Sequence, residues 1–341
     1  MARGRRVRNL VWIGMALALL VAGPATAAEL TKITIAHPGP SFSFAATFIG
    51  LDRGFFKDEG LDLTYREIKG LGSSTAARGR KVELAMASGV SLIKGHVAKA
   101  PLDGLVMLLH RVNLELAVDK AKAAKAGITS ASSIKDRAQF MKGKVIGIDR
   151  LRGIPDAWLQ YVGSLAGLQA GKDYTIRAVG TGPSLFAALK RGDIDGFSLS
   201  LPWTVASELE GFGTLLISGP RGDIPALEPF GYIYVAAHPD YCKEQAATCK
   251  KVARGYQKSL DILRTNDANS LAILKKEFPK LRSEWVEASY RMYKSGVAPS
   301  GKPTLQALKT VQTMMLAAGD LEKPGLTDAE LQSRLIQGLF D

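Results

Sequence analysis

From about residue 30 onward, short apolar runs alternate with segments whose apolar residues recur at helical spacing. Ile33-Thr34-Ile35-Ala36 reads as a buried strand, and Ser43 to Phe56 places Phe44, Phe48 and Leu51 on one helix face. Gly60 punctuates, and Leu61-Asp62-Leu63-Thr64-Tyr65 alternates as a strand. Gly72-Ser73-Ser74 opens a short helix that Arg78-Gly79-Arg80 closes. Val82 to Ala87 is the next strand, and Ser88-Gly89 leads into another helix. Strands interleaved with short helices predict parallel β-α-β units.

The same order recurs downstream. Val145-Ile146-Gly147-Ile148 is a strand, Pro155 to Leu165 a helix, and Gly167-Leu168 punctuates as Gly60-Leu61 does. Tyr174 to Val179 is a strand, and Gly180-Thr181-Gly182-Pro183-Ser184 opens the helix Leu185 to Lys190, closed by Arg191-Gly192-Asp193. Ile194 to Leu199 is a strand ending in Ser200, as Ala87 ends in Ser88. Two similar α/β lobes are the simplest explanation of this loose repeat.

The boundaries follow. Asn113 to Val118 alternates as the first strand of a second lobe, and Ser133-Ile134-Lys135-Asp136 fits a capping box. That lobe ends near Leu215-Leu216-Ile217, before the Gly/Pro-rich turn Ser218 to Pro225. Phe230 to Ala236 reads as one more strand. Beyond Asp240 the chain is helical through Val252–Leu263, Ser270–Phe278, Ser283–Tyr293 and Thr304–Ala317, and Thr327-Asp328-Ala329-Glu330 caps a last helix. Those helices have no sheet of their own and are expected to pack on the first lobe. The expected organisation is 1–27 as leader, 28–115 as first lobe, 116–217 as second lobe and 218–341 returning to the first. The chain then crosses between lobes twice, beside a cleft.

The leader changes where such a fold would work. Arg3, Arg5, Arg6 and Arg8 precede the apolar run Leu10 to Ala22, and Pro24-Ala25-Thr26-Ala27 supplies small residues for cleavage. This is the tripartite pattern of a secretory signal peptide. As a membrane anchor the run falls short of the roughly 20 apolar residues a span requires. No cysteine lies near the cut, so a free exported protein beginning at Ala28 is expected. The formal charge is +13, and the leader's four arginines, with no acid among them, leave +9. The remaining basic residues are scattered among acids, which suits a solvated face and approach of small anions, and argues against nucleic acid. Cys242 and Cys249 close a short loop. In an oxidising compartment they read as a structural disulfide rather than as metal ligands, since no histidine lies at ligand spacing.

In open parallel sheets, ligands sit outside the carboxyl ends of strands. Here those ends lead into His37-Pro38-Gly39-Pro40-Ser41-Phe42, Gly72-Ser73-Ser74, Ser88-Gly89, Arg152-Gly153-Ile154, Gly180-Thr181-Gly182 and Ser200-Leu201-Pro202-Trp203. Each pairs glycine or a hydroxyl with a helix start, where free N–H groups suit carboxylate, sulfonate or phosphate. Any one serine alone is equally an ordinary N-cap. Arg152, the one cation at such an end, is expected to pair with an anionic head group, although a loop arginine can simply be exposed. Phe42 and Trp203 are candidates for an apolar wall, whereas Trp158 sits at helix spacing from Val162 and fits the core. No dinucleotide fingerprint is complete, no phosphate loop or Gly-x-Ser-x-Gly elbow occurs, and no histidine has a serine and carboxylate set. Asp193 and Asp195 stand in a turn and strand start matched by Lys81 and Glu83, so catalysis finds little support.

Gly54-Phe55-Phe56-Lys57-Asp58-Glu59-Gly60-Leu61 resembles the G-x-F-x-x-x-G-L segment of solute-binding proteins of the nitrate, sulfonate and taurine type. Gly143-Lys144-Val145-Ile146-Gly147, the run Ala187 to Asp195 and Pro202 resemble them too, and the likeness covers about residues 30–335. It implies a type 2 periplasmic-binding-protein-like fold of two mostly parallel α/β lobes, a periplasmic location, no cofactor, and delivery of a small solute to an ABC permease by a monomer. The ligand would be met after Ala36, Gly70, Ala87, Asp149, Val179 and Leu199. Nothing separates nitrate, sulfonate, taurine or thiamine-precursor pyrimidine binders, although a hydroxyl-rich cleft with one arginine favours a small organic anion. The alternatives are an exported α/β enzyme related to pyrimidine synthesis, whose cysteine-rich motif is absent here, and a receptor that signals to a membrane sensor.

Overall fold

A computed structural model describes Met1 and residues 29–341, apart from Pro40, Leu71, Asn266, Asp267 and Asp341; the leader and its cleavage site lie outside the described residues. The chain opens with β1 (Thr31–His37), α1 (Ala45–Asp52), α2 (Phe55–Asp58), β2 (Leu61–Glu67), α3 (Gly72–Arg78), β3 (Leu84–Ser88), α4 (Gly89–Val97) and β4 (Asp103–Leu109). Next come β5 (Glu115–Asp119), α5 (Lys120–Lys125), α6 (Ile134–Gln139), β6 (Val145–Ile148) and α7 (Ile154–Ser164). Then follow β7 (Thr175–Ala178), α8 (Gly182–Arg191), β8 (Gly196–Leu199), α9 (Trp203–Leu209) and β9 (Gly213–Ser218). After β10 (Ile233–Ala237) the elements are helical: α10 (Tyr241–Glu244), α11 (Ala246–Thr265), α12 (Ala268–Glu277), α13 (Ser283–Tyr293), α14 (Leu305–Ala317) and α15 (Asp328–Gln332).

Two five-stranded sheets form, ordered β2-β1-β3-β10-β4 and β7-β6-β8-β5-β9. In the first, β1 runs parallel to β2 and β3 while β10 is antiparallel to both its neighbours. In the second, β6 runs parallel to β7 and β8 while β5 is antiparallel to β8 and β9. The antiparallel strand of each sheet is the one that follows a crossing. The fold is thus two α/β lobes of matching topology, as the repeated pattern implied. The crossing segments are tied to each other: Gly219 N–H donates to Leu114 C=O at 2.9 Å, Phe230 N–H to His110 C=O at 2.7 Å, and Tyr232 N–H to Leu109 C=O at 3.2 Å. Gly219 is required at this approach, since a Cβ there would collide with the Val112 carbonyl.

The helix expected over Ser43–Phe56 is instead divided. A 3₁₀ turn covers Phe42–Phe44, α1 ends at Asp52, and α2 starts after Gly54, whose φ of +73° is left-handed and open to glycine at little steric cost. The C-terminal helices also depart from expectation. Buried Val252, Tyr256, Leu260 and Leu263 seat α11 on α1, α2 and β4. Yet α14 packs on both α4 and α7, and α13 on α9, so two of these helices reach the second lobe. Cys242 and Cys249 are disulfide-bonded, joining α10 to α11. Among the described residues no helix is long and apolar enough to cross a membrane.

Candidate functional site: an interlobe cleft

A cavity of about 810 Å³ opens between the sheets, lined from both lobes. The turn after β1 contributes Pro38, Gly39, Ser41, Ser43 and Phe44, and α3 contributes Ser73 and Ser74. Met86, Ala87, Ser88 and Ser91 come from the β3–α4 junction. The second lobe supplies Asp149, Arg150, Ile154 and Pro155 after β6, then Gly180, Thr181, Gly182 and Pro183 after β7. Leu199 through Trp203 follow from the end of β8. Carboxyl ends of parallel strands thus face one another across the space.

Most residues singled out from the sequence line this cavity: Pro38, Ser41, Ser73, Ser74, Ser88, Gly180, Thr181, Gly182, Ser200 and Trp203. Four do not. Phe42 is wholly buried, its ring stacked on Phe278 at 4.9 Å, because the 3₁₀ turn rolls it into the core. Gly72 packs on Ile68, and Gly153 is buried against Arg150 and Pro155. Arg152 takes a left-handed backbone (φ +63°) that leaves it exposed, its own N–H held by Asp156 at 2.6 Å. The arginine in the cavity is Arg150, which pairs with the neighbouring carboxylate of Asp149. Burial raises the Asp149 pKa and Arg150 opposes that rise.

At the floor, hydroxyls connect the lobes to the crossings. Tyr232, on the second crossing, shares a 2.7 Å hydrogen bond with Ser200 and also bonds Ser43. Asn113 Nδ2, on the first crossing, donates to Ser43 Oγ at 3.1 Å. Burial pushes the Tyr232 phenol well up, so it stays a neutral donor at ordinary pH. At the rim, Arg282 pairs with Glu210, and Trp285 of α13 packs on Phe186 and Trp203 with ring centroids 5.6 and 6.2 Å apart. Sequence reasoning missed Tyr232 and the stretch Glu277–Leu281, which sit at no parallel strand end, and Phe44, which follows β1 but whose spacing places it on a helix face.

A model of the NMT1-like family matches residues 26–272, most of the chain. The chain belongs to the NMT1-like family. This agrees with the resemblance carried by Gly54–Leu61. "Putative binding protein YtlA" of Bacillus subtilis (strain 168) is 22% identical over 306 residues, spanning 86% of this NMT1-like chain and 85% of that protein. Two solved structures share the fold. The alkanesulfonate-binding protein SsuA from Xanthomonas axonopodis pv. citri, bound to MOPS, has a TM-score of 0.70 at 17% identity, covering 91% of this chain and 99% of its own. The periplasmic nitrate-binding protein NrtA from Synechocystis PCC 6803 has a TM-score of 0.74 at 14% identity, covering 91% and 87%. Among the described residues no group of histidine, cysteine and acidic side chains could hold a metal ion.

Proposed function

We propose that this NMT1-like chain is an exported receptor that closes its lobes around one small organic solute and delivers it to an ABC import permease. The observation that supports this is the cavity itself. Both sheets turn strand ends into it, and the crossings are bonded to each other at its floor, so rotation about them opens or shuts it. Its lobes are 28–115 with 218–341, and 116–217. The hydroxyls of Ser41, Ser73, Ser74, Ser88, Thr181 and Ser200 serve as hydrogen-bonding groups, with Trp203 as apolar wall. With Arg152 outside the cavity, an anion is no longer favoured on its account. The leader pattern and the periplasmic relative NrtA support a periplasmic location. The protein acts as a monomer without cofactor, catalysis or nucleic acid.

Mass spectrometry of molecules released by denaturing the purified protein, followed by small-angle scattering with the released compound, tests this reading. One unaltered compound and a smaller radius of gyration at saturation are expected. A chemically altered product without compaction makes the protein an enzyme instead.

A further inference from the structure

We infer that the solute is a net-neutral organic molecule with a large apolar body, and not a small oxyanion; this rests on the receptor reading. The first argument is size. A cavity of about 810 Å³ lies in the size range of sites for drug-sized ligands. An oxyanion of four or five atoms would fill only a small part of it, and the lining includes the apolar side chains of Phe44, Met86, Ile154, Leu201, Trp203 and Phe278.

The second argument is that three of the helix starts an oxyanion would use, those of α4, α7 and α8, are already occupied, which leaves Ser73 and Ser74 of α3 as neutral hydroxyls on the lining. At α4, Ser88 Oγ accepts from Ser91 N–H at 3.1 Å and lies 3.0 Å from Ser91 Oγ. At α7, the carboxylate of Asp156 sits in the first turn and accepts from Arg152 N–H. At α8, Trp203 lies so close over Gly182 that a Cβ there would strike its ring. The third argument is charge. Of the charged side chains lining the cavity among the described residues, Glu67, Lys69, Glu277 and Lys280 are exposed and balanced in sign. The inner two, Asp149 and Arg150, neutralise each other. Together they offer a ligand both acceptor and donor without a net field, which suits an amide, a lactam or a similar uncharged polar group.

A thermal-shift panel on the mature protein tests this, with nitrate, sulfate, bicarbonate and methanesulfonate against neutral mono- and bicyclic amides of about 12–25 non-hydrogen atoms. The largest shift is expected from a neutral compound. Its calorimetric Kd should change less than about two-fold between low and high salt, since screening acts on net charge. Thr181→Trp fills the cavity from an exposed position and should weaken that compound more than about ten-fold. The inference is overturned if an oxyanion gives the largest shift, or if no neutral compound gives one. An oxyanion that binds with compaction leaves the receptor reading intact. A neutral compound that binds without compaction removes the receptor reading and keeps the ligand class.

Discussion

Glu115 opens β5 where the chain enters the second lobe, and it is fully buried. Its carboxylate accepts from Ser218 Oγ at 2.9 Å, at the end of β9, and from Thr204 Oγ1 on α9. Burial pushes its pKa from 4.5 up to about 7, against the two hydroxyls and Arg221, with Glu208 adding to the rise. Between these values the native state keeps a proton that the unfolded chain has released. The resulting stability is full below about pH 4.5 and is lost as pH rises through about 7. At about 1.36 kcal/mol per pH unit, the full effect is on the order of 3 kcal/mol. Glu115→Gln removes the titration while keeping polar partners for both hydroxyls. Urea unfolding of both proteins from about pH 5 to about pH 8 reads it, because every other titrating group cancels in the difference. The native protein should lose about 2–3 kcal/mol relative to the glutamine variant across that range. A constant difference would refute the assignment of the proton to this carboxyl.

Replacing Cys242 and Cys249 by serine should lower stability by about 2–3 kcal/mol through the freed loop, and an unchanged urea midpoint would contradict this. Gly182→Val drives a branched side chain into Trp203, so tryptophan emission should shift and stability fall by about 1–3 kcal/mol; an unshifted spectrum counts against the contact. Ser200→Ala breaks the bond to Tyr232 and should weaken the solute by about 0.5–1.5 kcal/mol in calorimetry, whereas Arg152→Ala should change nothing. A loss at Arg152 would return that residue to the site. N-terminal sequencing of exported protein should begin at Ala28, and a retained Met1 would overturn the leader.

Strands with one solvated face were legible from period alone, as in Leu61-Asp62-Leu63-Thr64-Tyr65. β4 was not, because Asp103 through Leu109 are all buried and leave no alternation to read. The turns after the parallel strands were legible because strand ends are local. What each side chain does there is set by backbone direction, which spacing does not carry. Arg150 and Arg152 stand two residues apart, and the left-handed turn at Arg152 decides which of them lines the cavity. Tyr232 and Phe278 reach the cleft through the second crossing and the α12–α13 connection, which periodicity within either lobe could not foretell.

The placement of β10 bears on the order in which the molecule can be assembled. Strands β5 to β9 are consecutive in the chain, so the second lobe has every strand it needs once Ser218 is available. The first lobe does not, because its central gap between β3 and β4 stays open until residues 233–237 arrive. A chain delivered from its N-terminus therefore carries two unzipped, apolar strand edges past the maturation of a complete neighbouring lobe, and such edges invite pairing with other chains. The half that begins first is finished last, and newly made molecules are most exposed to aggregation in that interval.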